Sequence, residues 1–179
     1  MGTLFLRRLS RWQAETERDH IADLYAAAHR DPSPDAAPPD RAGFLRRFVD
    51  HDVQRPEFDL MLAGDPEPVG CAYGFLAERE DGWWDRFRQR PEALPTLAEH
   101  RRIFVVTELL VHPRRRGEGL AGRLQRELLS RVSASAALLL VEAGDGPAQS
   151  ALPSLGWGKA GELTPRDGAA LAAWTTPLG

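Results

Sequence analysis

Hydrophobic positions along this 179-residue chain form two kinds of pattern, helical spacing and short continuous runs, which together predict a mixed α/β protein. Apolar residues spaced i, i+3, i+4 and i+7 predict a helix that Ser10 can cap and that runs to about His29. A second, shorter helix should follow Asp40 and turn Phe44 and Phe48 inward, and a further short helix is predicted over Pro147–Ser154. Short apolar runs bounded by turn residues predict strands, which lie at Thr3–Leu9, Phe58–Ala63, Val69–Ala77, Ile103–Val111, Ala137–Glu142, Trp157–Leu163 and Ala169–Thr176.

Two connections between these elements are long. The four prolines between Asp31 and Pro39 exclude a continuous helix there and predict a loop. The stretch of about residues 78–102 is longer still, and a long connection in a compact domain is usually functional or disordered. Its aromatic content argues against disorder. We expect one domain over residues 1–179, with an insert at 78–102.

The stretch from Val111 to Gly122 reads VHPRRRGEGLAG and joins a predicted strand to a predicted amphipathic helix, Gly117–Val132. The free N–H groups and the dipole of a helix's first turn favour an anion. Glycines at 117 and 119 allow the backbone to approach a ligand closely. A strand, a basic glycine-rich loop and a helix in this order predict a phosphate-binding site.

The glycine spacing leaves one alternative for this loop. A P-loop is excluded because no Gly-Lys-Ser/Thr run exists in the sequence. The G-x-G-x-x-G pattern of dinucleotide-binding folds is matched by Gly117, Gly119 and Gly122, with Glu142 about twenty residues further on. However, a five-residue spacer separates the strand from the first glycine, and 37 residues after Glu142 are too few for the remaining strands. We rank the dinucleotide hypothesis second.

The run Arg114–Gly119 resembles the R/Q-x-x-G-x-G/A signature of the GNAT superfamily, the acyl-CoA-dependent N-acyltransferases. Further on, the Asp145–Ala148 segment and the Leu155–Trp157 segment resemble that family's N-x-x-A and G-F motifs. The resemblance implies an α/β GNAT fold. Such a fold has a mixed, mostly antiparallel sheet of six to seven strands, about four flanking helices and two central parallel strands that splay apart.

The resemblance also implies a function, the transfer of an acetyl or acyl group from acetyl-CoA to a primary amine in a ternary complex. Its cofactor-binding positions map onto the end of the central strand, the basic loop and the later motif. These positions are Leu109, Leu110, Val111, Arg114, Arg115, Arg116, Gly117, Glu118, Gly119, Leu120, Ala121, Asp145 and Ala148. Backbone groups carry the contacts on the strand, because its side chains belong in the core.

Glu108 is the candidate general base, since many relatives place a glutamate there and an apolar strand raises a carboxyl pKa toward neutrality. The alternative is a structural glutamate paired with an arginine of the insert. The tyrosine that often protonates the leaving thiolate in this family is replaced by Leu152. Ser154, its neighbour Ser150 or a water could donate that proton instead. The thiolate could also leave unprotonated.

The acceptor is the least determined part of the prediction. Trp83 and Trp84 of the insert are candidates for lining an acceptor pocket, or they could belong to a lid that packs on the sheet. Asp31 could attract a cationic amine or be only solvated. The acceptor could be a small-molecule amine or a peptide, and because the family often dimerises a homodimer is left open. No histidine shows metal-ligand spacing, so we expect no metal.

Composition narrows the function classes. Hydrophobic residues are 42% and charged residues 27% of the chain, as in globular domains, and the net charge of −3 argues against nucleic-acid and membrane-surface partners. The single cysteine, Cys71, lies in an apolar run and is expected to be a buried, inert thiol. With no signal peptide and no long apolar run, the sequence predicts a cytoplasmic protein. A CoA-binding protein without catalysis is the main alternative function, ahead of a dinucleotide enzyme.

Overall fold

A computed structural model describes residues 4–64 and 66–179. The strands are β1 (Leu6–Leu9), β2 (Asp59–Ala63), β3 (Gly70–Glu78), β4 (Arg102–Val111), β5 (Ala136–Glu142), β6 (Gly158–Leu163) and β7 (Leu171–Pro177). The α-helices of this described part are α1 (Arg11–Thr16), α2 (Arg18–Ala28), α3 (Arg41–Asp50), α4 (Leu120–Leu129) and α5 (Gly146–Ala151). Short 3₁₀ turns lie between several of these elements.

The strands form one seven-stranded sheet in the order β1-β2-β3-β4-β5-β7-β6. The pairings of β1 with β2, β2 with β3, β5 with β7 and β6 with β7 are antiparallel. By contrast, β4 pairs with β5 in parallel, over Ile103–Val106 and Ala136–Leu139. The mixed, mostly antiparallel sheet predicted from the sequence is therefore confirmed. Within the described residues, no helix is long and apolar enough to cross a membrane.

The described chain divides into two compact units. The first unit comprises the chain up to Phe75 together with Glu108–Arg131. Its core is an apolar cluster that α2 and α3 form with β2 and β3, and it includes Ile21, Phe44, Phe48, Leu60, Cys71 and Tyr73, each at most 1% exposed. Helix α4 packs on β3 at Gly70, where a Cβ would lie 2.8 Å from Leu124 and 2.9 Å from Leu120. The missing side chain of Gly70 therefore allows α4 to approach β3 closely.

The second unit comprises Leu76–Thr107 and Val132–Gly179. The predicted insert is an ordered part of it, since Trp84 is fully buried and its indole N–H donates to the carbonyl of Glu78 over 2.9 Å. The backbone N–H of Arg88 donates to the carbonyl of Thr164 over 2.8 Å, next to the end of β6. The insert therefore packs on its own unit as a folded segment.

Three predicted element boundaries were wrong, each for a local reason. The single helix from Ser10 to His29 is divided at Glu17, just after Thr16, whose hydroxyl donates to the carbonyl four residues earlier, a bond that bends helices. The helix predicted from Gly117 begins only at Leu120, because φ is +79° at Gly117 and +74° at Gly119. The helix predicted over Pro147–Ser154 ends at Ala151, since Pro153 opens a 3₁₀ turn. Thr3, predicted to begin the first strand, lies outside the described residues.

Candidate active site

Glu108 lies on β4 and forms an ion pair with an arginine from α3. The Nη2 atom of Arg47 is 3.1 Å from Oε1 of Glu108, and the glutamate side chain is 17% exposed. The same guanidinium reaches a second carboxylate, since its Nε lies 3.6 Å from Oδ2 of Asp52. Asp52 also accepts a hydrogen bond of 2.8 Å from the hydroxyl of the buried Tyr73. Two acids, one arginine and one phenol thus form a connected polar group inside the first unit.

The electrostatic environment makes Glu108 unusually basic for a carboxylate. Burial in an apolar strand raises its pKa from the ordinary 4.5 to about 7. Arg47 lowers the pKa and the charge of Asp52 raises it, but burial has the largest effect. A carboxyl group with a pKa near 7 can accept a proton and release it again at neutral pH.

The structural alternative considered for Glu108 was an ion pair with an arginine of the insert, and this partner was wrong. The arginine is Arg47, 61 residues earlier in the chain. Sequence reasoning missed it, together with Asp52 and Tyr73. The signal available was helical spacing, because Arg47 follows Phe44 by three residues and shares its face of α3. That spacing could not show which strand the face would meet.

The basic loop after β4 begins with a tight turn. The side chain of His112 accepts a 3.2 Å hydrogen bond from the N–H of Arg114. The N–H groups of Arg115 and Arg116 donate to the carbonyls of His112 and Pro113. The backbone donors of all three arginines are therefore already used within the turn.

The donors left over follow directly after the turn. In the described part of the chain, no N–H group from Gly117 to Gly122 donates to a protein oxygen. A Cβ at Gly117 or Gly119 would meet nothing within 4 Å, so the loop is open on this side. These N–H groups include those of the first turn of α4, which favour an anionic ligand. The free backbone donors thus coincide with Gly117, Glu118, Gly119, Leu120 and Ala121, all expected from the sequence to contact a cofactor.

The arginine side chains of the loop have different roles. Arg116 donates to the carbonyl of Ala28 over 2.7 Å and ties the loop to the end of α2. Nε of Arg115 lies 2.9 Å from the carboxylate of Glu118. Arg114 is exposed and is the member of the triplet whose side chain is most accessible to a ligand.

The second unit holds the residues of the later motif. Asp145 caps α5, because its Oδ1 accepts a 3.1 Å hydrogen bond from the N–H of Ala148. Leu152, at the position where a tyrosine was sought, is 4% exposed. The hydroxyl of Ser154 donates to the carbonyl of Ala151 over 2.8 Å, and that of Ser150 donates within its own turn as well. Both hydroxyls would have to leave these bonds to serve as proton donors.

The residues considered for the acceptor also lie in ordered surroundings. Trp83 is half-buried, and its ring meets that of Trp84 edge-on at 4.8 Å and that of Phe87 at 5.2 Å. Trp84 is fully buried, so it supports the insert from within and presents no surface of its own. Asp31 is exposed and accepts a 2.8 Å hydrogen bond from the N–H of Ser33, which stabilises the loop after α2.

Several solved structures share this arrangement of strands and helices. A GNAT-family protein from Desulfovibrio desulfuricans aligns over 99% of this chain and 100% of its own, with a TM-score of 0.66 and 13% identity. The PaiA N-acetyltransferase from Thermoplasma acidophilum, in complex with coenzyme A, aligns over 98% of this chain and 99% of its own (TM-score 0.64, 8% identity). An aminoglycoside acetyltransferase, also in complex with coenzyme A, aligns over 98% of this chain and 95% of its own (TM-score 0.62, 16% identity). No protein-family model and no curated protein sequence matches the chain.

The chain therefore has the fold of the GNAT acetyltransferases, as its motifs indicated. A dinucleotide-binding fold requires a run of parallel strands, whereas four of the five strand pairings given above are antiparallel. The G-x-G-x-x-G match at Gly117–Gly122 thus gains no support from the sheet. Within residues 4–64 and 66–179, no three histidine, cysteine or acidic side chains are grouped as metal ligands would be.

Proposed function

We propose that this protein is an N-acetyltransferase that moves an acetyl group from acetyl-CoA to a primary amine in a ternary complex. The main observation in support is the set of N–H groups at Gly117–Gly122, which are free of protein partners and follow the strand that carries Glu108. An anion site and a carboxyl group with a pKa of about 7 then lie on consecutive segments of the first unit.

The loop and the end of β4 would hold the cofactor. The N–H groups from Gly117 to Ala121 fit a diphosphate, and Arg114 would add positive charge over it. The backbone of Leu109–Val111 lies beyond the part of β4 that pairs with β5 and would hold the pantetheine arm. Acetyl-CoA, when bound, supplies the activated thioester. We assign the Val111 N–H to its carbonyl oxygen, where negative charge develops.

The remaining contacts expected from the sequence have secondary roles in this proposal. Arg115 and Arg116 shape the loop through Glu118 and the carbonyl of Ala28. Asp145 and Ala148 would fix the start of α5 through their mutual hydrogen bond. That bond uses the Ala148 N–H and one oxygen of the Asp145 carboxylate.

Glu108 would accept the proton that the acceptor amine must lose before it attacks, directly or through a water. Its pKa of about 7 places this transfer in the physiological range. For the leaving thiolate we propose Ser154 as the protein's candidate donor, acting after its bond to Ala151 is broken. A loss of turnover in the Ser154→Ala variant would support Ser154, whereas retained turnover would leave Ser150, a water or departure of the unprotonated thiolate.

For the acceptor we propose a small-molecule or peptide amine. Trp83 would contact it, with Trp84 supporting the Trp83 ring from the core, and Asp31 would attract a cationic amine electrostatically. One of the structures that share this fold is described as an aminoglycoside acetyltransferase. A panel of polyamines, aminoglycosides and peptide amines is therefore a reasonable first set of acceptors.

The test combines binding and turnover. We expect calorimetric titration to show micromolar binding of acetyl-CoA and none of NADH, and the amine panel to show acceptor-dependent CoA release. Glu108→Gln should lower kcat by about 10²-fold or more and leave the Kd for acetyl-CoA nearly unchanged. Glu127→Gln, at an exposed position on α4, is the matched control. Equal loss of turnover and cofactor binding in Glu108→Gln would contradict the base assignment.

A second candidate is a CoA-binding protein without catalysis. The observation in its favour is that the position of the family's tyrosine holds the buried Leu152, and that the Ser150 and Ser154 hydroxyls already donate to backbone carbonyls. Tight acetyl-CoA binding with no CoA release for any amine would support this candidate over the acetyltransferase.

A further inference from the structure

Arg47 joins the candidate base to a second, more deeply buried carboxylate. Its guanidinium contacts Glu108 on β4 at 3.1 Å and Asp52, in the turn after α3, at 3.6 Å. Tyr73 on β3 anchors the far end of this group through its 2.8 Å hydrogen bond to Asp52. The three contacts run from the sheet through α3 and back to the sheet, all within the first unit.

The Arg47 side chain is 44% exposed, but the two carboxylates that it contacts are largely buried. The side chains of Asp52 and Glu108 are 10% and 17% exposed, so neither carboxylate is well hydrated. The Arg47 guanidinium also lies over the Phe44 ring at 5.3 Å and the Tyr25 ring at 6.0 Å, which restricts its movement. Removing one partner of such a group leaves a charge without compensation in a poorly solvated place. The guanidinium is thus held from three sides.

We propose that Arg47, held by Asp52 and Tyr73, is a positioning residue that fixes the Glu108 carboxylate in the orientation from which it takes the amine proton. The proposal rests on the acetyltransferase function and on Glu108 as its base. Helix α3 would thus fix the orientation of the base, whereas the basic loop and the end of β4 would bind the cofactor. The proposal also gives the buried Asp52 and its partner Tyr73 a role within a mostly apolar core.

The charges around Glu108 predict a measurable signature. Arg47 on α3 lowers the Glu108 pKa, whereas Asp52 raises it. The other titratable groups that interact with this carboxyl are Tyr25 on α2 and Cys71 and Tyr73 on β3. Their ordinary pKa values already lie above physiological pH and are raised further here, so all three are neutral. Without Arg47, the acidic limb of the rate profile should therefore move to higher pH. The alkaline plateau is read from the ratio of a variant's kcat/KM to that of the wild type, in which the titration of the acceptor amine cancels. Glu108 is ionised there in every variant, so this ratio reports orientation.

The experiment compares Arg47→Met with Arg46→Met, the same change one residue earlier at an exposed position of α3. The measurement is kcat/KM for the best amine of the panel between pH 5.5 and 9.5. We expect Arg47→Met to move the acidic limb up by about one pH unit or more and to lower the alkaline plateau about tenfold to a hundredfold. Arg47→Lys, which keeps the charge, should restore the limb, and Arg46→Met should match the wild type.

The outcomes separate this proposal from the function on which it rests. If Arg47→Met has the limb and plateau of Arg46→Met, Arg47 does not position the base and the proposal is overturned. If Glu108→Gln is as active as the wild type, the base assignment fails first. If the wild type turns over no amine, the acetyltransferase function fails and the catalytic role of Arg47 with it. A ¹³C NMR titration of Glu108 in the two methionine variants would then still show whether Arg47 holds that carboxyl.

Discussion

The pKa of Glu108 can be tested through folding stability, without any assumption about substrates. The change is Glu108→Gln, which keeps the size of the side chain and removes its titration. In the wild type, burial raises the pKa of this carboxyl from 4.5 to about 7. The folded protein therefore binds the Glu108 proton more tightly than the unfolded chain does. The stability that this group contributes is fully present below pH 4.5 and is lost as the pH rises through 7.

The size of the effect follows from the two pKa values. A pKa difference of about 2.5, at about 1.4 kcal/mol for each pKa unit, corresponds to about 3–4 kcal/mol of unfolding free energy, of which about 3 kcal/mol is lost between pH 4.5 and pH 8.5. The glutamine variant lacks this dependence. The free energy of unfolding of Glu108→Gln minus that of the wild type should therefore increase by about 3 kcal/mol between pH 4.5 and pH 8.5. Any fixed cost of separating Arg47 from its partner cancels in this comparison.

The assay is urea unfolding of both proteins at six or more pH values, followed by tryptophan fluorescence and circular dichroism. Glu127→Gln serves as the control and should show a pH profile parallel to that of the wild type. A difference curve for Glu108→Gln that stays flat within about 0.5 kcal/mol across this range would falsify the raised pKa. It would also remove the electrostatic reason for choosing Glu108 as the base.

Three further changes probe the local structure by chemical unfolding or by reactivity. Gly70→Ala should lower the free energy of unfolding by about 1–3 kcal/mol, because its Cβ would overlap the α4 side chains that now lie 2.8–2.9 Å from that position. The control is Gly144→Ala, where a Cβ meets nothing within 4 Å. An equal loss of stability in the two variants would contradict this packing. Gly119→Ala should lower the free energy of unfolding by about 1–2 kcal/mol, since φ is +74° there. It should also weaken acetyl-CoA binding in calorimetry, and an unchanged Kd would argue against the loop as the anion site. Cys71 is fully buried with a raised pKa, so we expect a thiol reagent to label it only as fast as the protein unfolds, and rapid labelling of the folded protein would refute its placement.

Much of the fold was predictable because it depends on local patterns. Among the described residues, apolar runs located the seven strands to within a few residues and helical spacing located the helices, although α1 and α2 were predicted as one. Ser10 and Asp40 cap the helices they were expected to cap. The errors in helix boundaries arose where the local backbone conformation overrides the spacing of apolar residues. The helix was predicted to begin at Gly117, but the positive φ angles of Gly117 and Gly119 are not helical, so α4 begins at Leu120. The burial expected for Cys71 is confirmed.

The sequence by itself determined the class of fold, the loop that is open to an anion and the position of Glu108 on a central strand, since each of these follows from residues close together in the chain. Only the tertiary structure decided the partner of Glu108. Arg47 is 61 residues away, and no periodicity encodes which helix face meets which strand. The same holds for Trp84, whose burial depends on packing within the second unit. Long-range pairing and burial depend on how the elements pack, and it is this packing that raises the pKa of Glu108.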